Sequence, residues 1–183
     1  MDEAQHVCEA LEKAINNPEE MTKVNKCVTK NVIEVTGDDV KMYSLFCEHT
    51  TEHQCVWKGE RGSTTFFQCE LPYYVDINFV HNQFTGYYVD VAVENHTARG
   101  FGVYFKFQCF DAKVRMGIRL PSKKGIILQN PFTHFLNNKG SIQNVLQQGR
   151  GLFSDKVHNE HKYSNARLGE DRGVAFRVSN CEI

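Results

Sequence analysis

The densest concentration of side chains able to bind an ion or move a proton is Cys47-Glu48-His49-Thr50-Thr51-Glu52-His53-Gln54-Cys55. If the chain turns at 50–52, Cys47 and His49 share a face of one strand, and His53 and Cys55 share the facing one. Two thiolates and two imidazoles suit a tetrahedral zinc ion, so Cys47, His49, His53 and Cys55 are the metal expectation. No other cofactor is expected. The spacing is not that of a common zinc knuckle, and the competing reading is two core cysteines beside exposed histidines. His49-Thr50-Thr51 also has the His-x-Thr form of two-histidine phosphoesterases, but no second histidine has Ser or Thr two positions on.

Other chemistry finds less support. There is no Gly-x-Ser-x-Gly, no Gly-x-Gly-x-x-Gly opening a helix, and no phosphate-cradling glycine loop ending in Lys-Ser or Lys-Thr. His158 and His161 stand in a polar stretch, 150–173, whose length without periodicity is unusual in a compact domain. That stretch is where the site of an enzyme of unknown class would lie. With no catalytic motif to name, the expectation is that the chain is not an enzyme.

A second group of residues could hold phosphates and stack bases. Tyr104, Lys106, Lys113, Arg115, Arg119, Lys123 and Lys124 would form a basic, aromatic strip if their strands were neighbours in one sheet. Arg99-Gly100-Phe101-Gly102 opens like a basic–Gly–aromatic–Gly nucleic-acid-binding strand, but Lys106 stands where a further aromatic is expected. The net charge of -1 gives no global attraction to nucleic acid. Acidic Asp90 and Glu94 offer the basic residues ordinary cross-strand partners.

The elements that must position these residues are mostly extended. In 86–120, alternation places Val89, Val91 and Val93, then Phe101, Val103, Phe105, Phe107 and Cys109, then Val114, Met116, Ile118 and Leu120 on buried faces. A period of two repeated three times predicts an antiparallel meander with one buried and one presented face. Further strands are expected at 40–47, 54–58, 64–71 and 74–80, with a short one at 126–128 and a closing one at 174–178. A helical turn is expected at 132–136 and a short helix at 141–148, capped by Ser141. No internal repeat stands out.

The first 35 residues differ. Ala4, Val7, Cys8, Leu11, Ala14 and Ile15 recur at helical spacing, Asn16-Asn17-Pro18 breaks the run, and Met21, Val24, Cys27 and Val28 begin a second stripe. These predict a helical hairpin whose Val7, Leu11, Met21, Val24 and Val28 would dock on a protein partner or a second copy. The aromatic content, 13 Phe, 7 Tyr and 1 Trp, supplies interface-forming side chains in the same sense.

The fold class expected is α+β: a mostly antiparallel β-sheet or β-sandwich with an N-terminal helical hairpin and a short helix in the C-terminal half. One domain is expected over 1–183, comprising a hairpin at 1–35, a β-meander core at 40–128, short helices at 129–149, a long loop at 150–173 and a closing strand at 174–180. The function expected is a non-catalytic binding or adaptor module engaging a protein. Nucleic-acid binding is the alternative, and an enzyme the third. With an acidic start (Met1-Asp2-Glu3) and no apolar run of membrane-spanning length, the expected location is intracellular, cytoplasmic or nuclear, with no membrane association. Seven cysteines, most inside apolar patterns, are expected to be free and buried rather than a disulfide framework.

Overall fold

The computed structural model describes residues 28–109, 111–146, 162–167 and 174–177. The chain runs through β1 (Ile33–Val35), β2 (Lys41–Glu48), β3 (Cys55–Trp57), β4 (Gly62–Glu70), a short helix α1 (Ile77–His81), β5 (Tyr87–Val89), β6 (Asn95–Phe105), β7 (Lys113–Val114), β8 (Ile118–Arg119), β9 (Gly125–Phe135), β10 (Ser141–Ile142), β11 (Lys162–Arg167) and β12 (Val174–Arg177). Consecutive strands do not pair. Instead β1, β3, β5 and β8 form one parallel sheet, β2, β4, β6 and β9 run parallel through a second, and β7 pairs with β10 in a third. The chain therefore winds in coils, each strand stacking on its counterpart one coil earlier, which is a parallel β-helix. Antiparallel pairing enters at the far edge, where β11 joins β9 and β12 joins β11.

This corrects the antiparallel meander and the α+β class. Within 86–120, β5 and β6 lie in different sheets, and β8 returns to stack on β5. Alternation reports that a strand buries one face, and a β-helix strand does that as well as a hairpin strand. Phe101, Val103, Phe105 and Phe107 do point inward, each fully buried. Val91 does not: it is 71% exposed, in a corner where Asp90 Oδ1 accepts the Ala92 N–H and the Asp90 carbonyl accepts that of Val93.

Two expected helices are not found: 132–135 belongs to β9, and 141–142 forms β10, with 147 and 148 outside the described residues. Conversely, the strand expected at 74–80 contains α1, whose N-cap Asp76 accepts the Phe79 N–H at 2.8 Å. Of the helical hairpin, residues 1–27 lie outside the described residues, and its last part is strand β1. Most of the 150–173 stretch also lies outside them, but β11 falls within it.

The core fills the coil interior. Phe67 stacks on Phe101 with centroids 5.0 Å apart, and the Tyr87 ring meets both edge-on at 4.9 and 4.7 Å. The buried Tyr87 hydroxyl lies 2.8 Å from Thr64 Oγ1 and 3.0 Å from His96 Nε2. Gln54 closes the β2–β3 corner, its amide nitrogen donating to the carbonyls of Thr50 and Glu52 and its oxygen accepting the Thr50 N–H.

The large sheet is creased. Ser44, Phe66, Gly100 and Asn130 occupy equivalent positions in β2, β4, β6 and β9, and all have positive φ, from 53° to 65°. At the crease two successive side chains face outward before alternation resumes; in β4, Phe66 is 55% exposed and Phe67 is 1% exposed. Each left-handed residue bends its strand, and stacking the bends turns one sheet into two limbs.

Candidate functional site

Beyond the crease, the outer face carries two rows set by strand register. Phe46, Gln68, Gly102 and Phe132 form the first; Glu48, Glu70, Tyr104 and His134 form the second. Strand β6 has glycine where its neighbours carry side chains: Gly100 between Phe66 and Asn130, Gly102 between Gln68 and Phe132. Phe66, Phe67, Gln68, Gly100, Gly102, Tyr104, Asn130 and Phe132 accordingly line a groove of about 420 Å³. Tyr104 meets the Phe132 ring edge-on at 5.5 Å and that of His134 at 5.6 Å.

At one end of the groove the second row supplies charge. Glu48 and Glu70 are partners on adjacent parallel strands, and His49 follows Glu48 with φ 59°. One oxygen of each carboxylate and a His49 ring nitrogen lie within 4.8 Å of one another, the one such grouping of three ligating side chains among the described residues. His49 Nε2 is 3.9 Å from Glu70 Oε2, and Gln68 Nε2 donates to Glu48 Oε1 at 3.0 Å. The Glu70 carboxylate, accepting from the Tyr73 hydroxyl, pushes that phenol above its usual pKa. The Tyr73 ring lies between His49, at 4.5 Å, and the Lys106 ammonium, at 5.6 Å. Two carboxylates held side by side beside a groove can share acid and base work on a bound molecule. Exposed carboxylates also gather without an ion, so no metal is assigned to the trio.

The four residues expected to bind zinc do not converge. The chain between 49 and 54 is a corner carrying it from one sheet to another, not a hairpin. Cys47 and Cys55 are fully buried in the core, where the hydrogen bond between them and burial push the Cys55 thiol upward, keeping it protonated. His49 faces outward at the end of β2. His53 packs on the other sheet, stacked on Tyr88 at 4.5 Å and accepting the Thr85 N–H at Nδ1. Cys47, Cys55 and Cys69 are free and buried, whereas Cys109 is disulfide-bonded.

The basic strip is dispersed in the same way. Tyr104 lies on the groove, and Lys106 sits over Tyr73. Lys113 is exposed on β7, and Arg115 contacts Gln83 at 3.5 Å. Arg119 lies over the Tyr88 ring on another sheet at 5.4 Å, Lys123 pairs with Glu94 at 2.6 Å, and Lys124 is exposed in the preceding corner. Of the expected docking residues, Val7, Leu11, Met21 and Val24 lie outside the described residues; Val28 is exposed. Among the described residues, no helix is long and apolar enough to cross a membrane.

Sequence reasoning passed over Glu48 and Glu70, though a signal exists. Val35…Gly37-Asp38-Asp39…Cys47-Glu48 reappears one coil later as Trp57…Gly59-Glu60-Arg61…Cys69-Glu70. Asp39 and Arg61 both take positive φ, and Arg61 Nε and Nη2 bond the two Asp39 oxygens at 2.8 Å, fastening one copy to the next. The absence of a repeat is therefore corrected as well.

Comparison with known proteins agrees with this geometry. Residues 12–70 match the family described as LAM55 pectate lyase-like domain. An exo-beta-1,3-glucanase of Streptomyces sp. (strain SirexAA-E / ActE) is 31% identical over 120 residues, 62% of this chain and 20% of the relative. Solved structures of sacteLam55A from Streptomyces sp. SirexAA-E, one a variant in complex with glucose, superpose with a TM-score of 0.65 at 26% identity, covering 72% of this chain and 26% of theirs. The chain thus spans about a fifth of the curated relative's length and about a quarter of the solved chains'. These likenesses overturn the expectations of a non-catalytic adaptor, of nucleic-acid binding and of a chain that is not an enzyme. What it resembles is an enzyme and a pectate lyase-like domain.

Proposed function

We propose that this chain is a glycoside hydrolase-related β-helix that binds a β-1,3-linked glucan on the outer face of its creased sheet, with Glu48 and Glu70 in the acid–base role. The observation that carries this is the register pairing of the two carboxylates at the end of an uncharged, aromatic-lined groove. Hydrolysis needs a proton delivered to the glycosidic oxygen as the bond to the anomeric carbon breaks. It also needs a carboxylate to take a proton from the water that adds to that carbon. Glu70, the more enclosed and flanked by His49 and Tyr73, suits the acid; Glu48, exposed, suits the base.

The test is release of reducing sugar from β-1,3-linked glucose oligosaccharides. Glu70→Gln and Glu48→Gln should each lower kcat by about a hundredfold or more, with oligosaccharide binding retained. Undiminished turnover in both variants would remove the pair from the reaction.

A further inference from the structure

We infer that Asn95 is the acceptor for an N-linked oligosaccharide, at the end of β6 away from the groove. The inference is independent of the glucan reading. Asn95-His96-Thr97 is the one Asn-x-Ser or Asn-x-Thr in the sequence, and its middle residue is not proline, which is the pattern that such a transfer requires. The fold puts it where a glycan can stand. Asn95 opens β6 at the corner that follows Glu94, and both residues are exposed. His96 turns inward and is buried, so alternation points Asn95 and Thr97 outward together. In the next coil Gly125 pairs with Asn95, and a Cβ there would lie 2.3 Å from Asn95 Oδ1. The amide oxygen therefore rests on bare backbone, and that neighbour has no side chain to cover the group. In the preceding coil the Glu60 carboxylate accepts the backbone N–H groups of Glu94 and Asn95, and it also bonds the Asn95 side chain. A sugar on Nδ2 replaces one of its two hydrogens and leaves the other to donate.

The cysteines supply the compartment. Cys109 is disulfide-bonded, and disulfides persist where the surroundings are oxidising, as they are along a secretory route. Free thiols would be a liability there. Cys47, Cys55 and Cys69 are fully buried, and burial pushes the Cys69 thiol well up, so these three stay protonated and out of reach. The same route carries the transferase. In the transfer, Asn95 Nδ2 bonds to the anomeric carbon of an oligosaccharide linked to a lipid pyrophosphate. The bond from that carbon to the pyrophosphate oxygen breaks, the lipid pyrophosphate leaves, and the amide gives up one proton. Thr97 supplies the hydroxyl that completes the acceptor pattern, a part serine also fills. Asn95 stands five residues before Gly100 and nine before Tyr104, up to roughly 17 and 30 Å along β6. The glycan is thus rooted at the opposite end of the strand from the Tyr104 row.

The test is the mass of the full chain, purified from its own organism, before and after treatment with peptide-N-glycosidase. One oligosaccharide should be lost, with Asn95 emerging as aspartate. An unmodified Asn95 overturns the proposal. The full chain is also secreted from cultured eukaryotic cells behind a cleavable export signal. There Asn95→Gln and Thr97→Ala should each have the mass of the deglycosylated parent, while Thr97→Ser keeps the glycan. Thr97→Ala leaves the Asn95 amide beside Glu60 and Gly125, and so covers a failure of Asn95→Gln to fold. A glycan that persists in Asn95→Gln or Thr97→Ala lies elsewhere and overturns the site.

Discussion

His96 is enclosed within the coil beside Tyr87, and burial pushes its pKa down to about 4 from 6.5. His53 is lowered to about 4 as well, first by burial and then by the positive charge of Arg119, with Glu52 opposing. Both imidazoles are neutral in the fold at neutral pH. Unfolding returns them to water, where they take up protons near 6.5, so below that pH the unfolded chain binds more protons than the folded one. Their contribution is therefore full above pH 6.5, falls as the pH drops toward 4 and is flat below, with His96 accounting for roughly 3 kcal/mol across that window. His96→Gln should lower the thermal midpoint at pH 7 but make its fall between pH 6.5 and 4 shallower. A slope as steep as the parent's would place the acid sensitivity in other groups.

The crease is where an element's shape and its surface chemistry meet. Gly100 and Asn130 are residue types that tolerate left-handed backbone, whereas Ser44 and Phe66 are not, and the penalty for each of the latter is roughly 1–2 kcal/mol. Phe66→Gly should leave the thermal midpoint unchanged or slightly higher, because relief of strain offsets the extra freedom of glycine in the unfolded chain. It should nonetheless weaken glucan binding, since an aromatic ring lining the groove is gone. A marked loss of stability would show instead that the Phe66 ring holds the sheet together. Gly62 shows the opposite constraint. A Cβ there would lie 2.3 Å from Trp57 Cζ2, so Gly62→Ala should destabilise by about 1–3 kcal/mol, read as a lower urea midpoint.

Across the whole molecule, each coil is held chiefly by its neighbours, as in any solenoid. Strands β4 and β6 are paired on both sides along their lengths, whereas β2 is the last strand of its sheet. Amide exchange should accordingly be slowest in β4 and β6 and faster in β2, with the crease positions faster than their flanks. Protection as high in β2 as in β4 would mean that another surface covers that edge. The outer face of the large sheet is built row by row from successive coils, so no single coil contains the proposed site.

The amino-acid sequence by itself determined that this region is extended and most of the residues its interior holds, Val91 being an exception. Alternation marked Phe101, Val103, Phe105 and Phe107 correctly, since burial of one strand face is written locally in a period of two. It also held the evidence of winding, in the Gly-acidic and Cys-Glu pairs shared by the first two coils. The pairing partners, the parallel sense and the crease were decided by tertiary structure. The four zinc candidates do not gather because, although Cys47 and Cys55 meet in the core, the corner between them leaves His49 facing outward and carries His53 onto the other sheet. The basic strip failed because its residues fall on different sheets. The groove and its carboxylates were illegible for the same reason: Glu48 meets Glu70, and Gly102 opens a gap between Gln68 and Phe132, only after the chain has closed whole coils. Which strands become neighbours depends on where each coil ends, and no local periodicity records that distance.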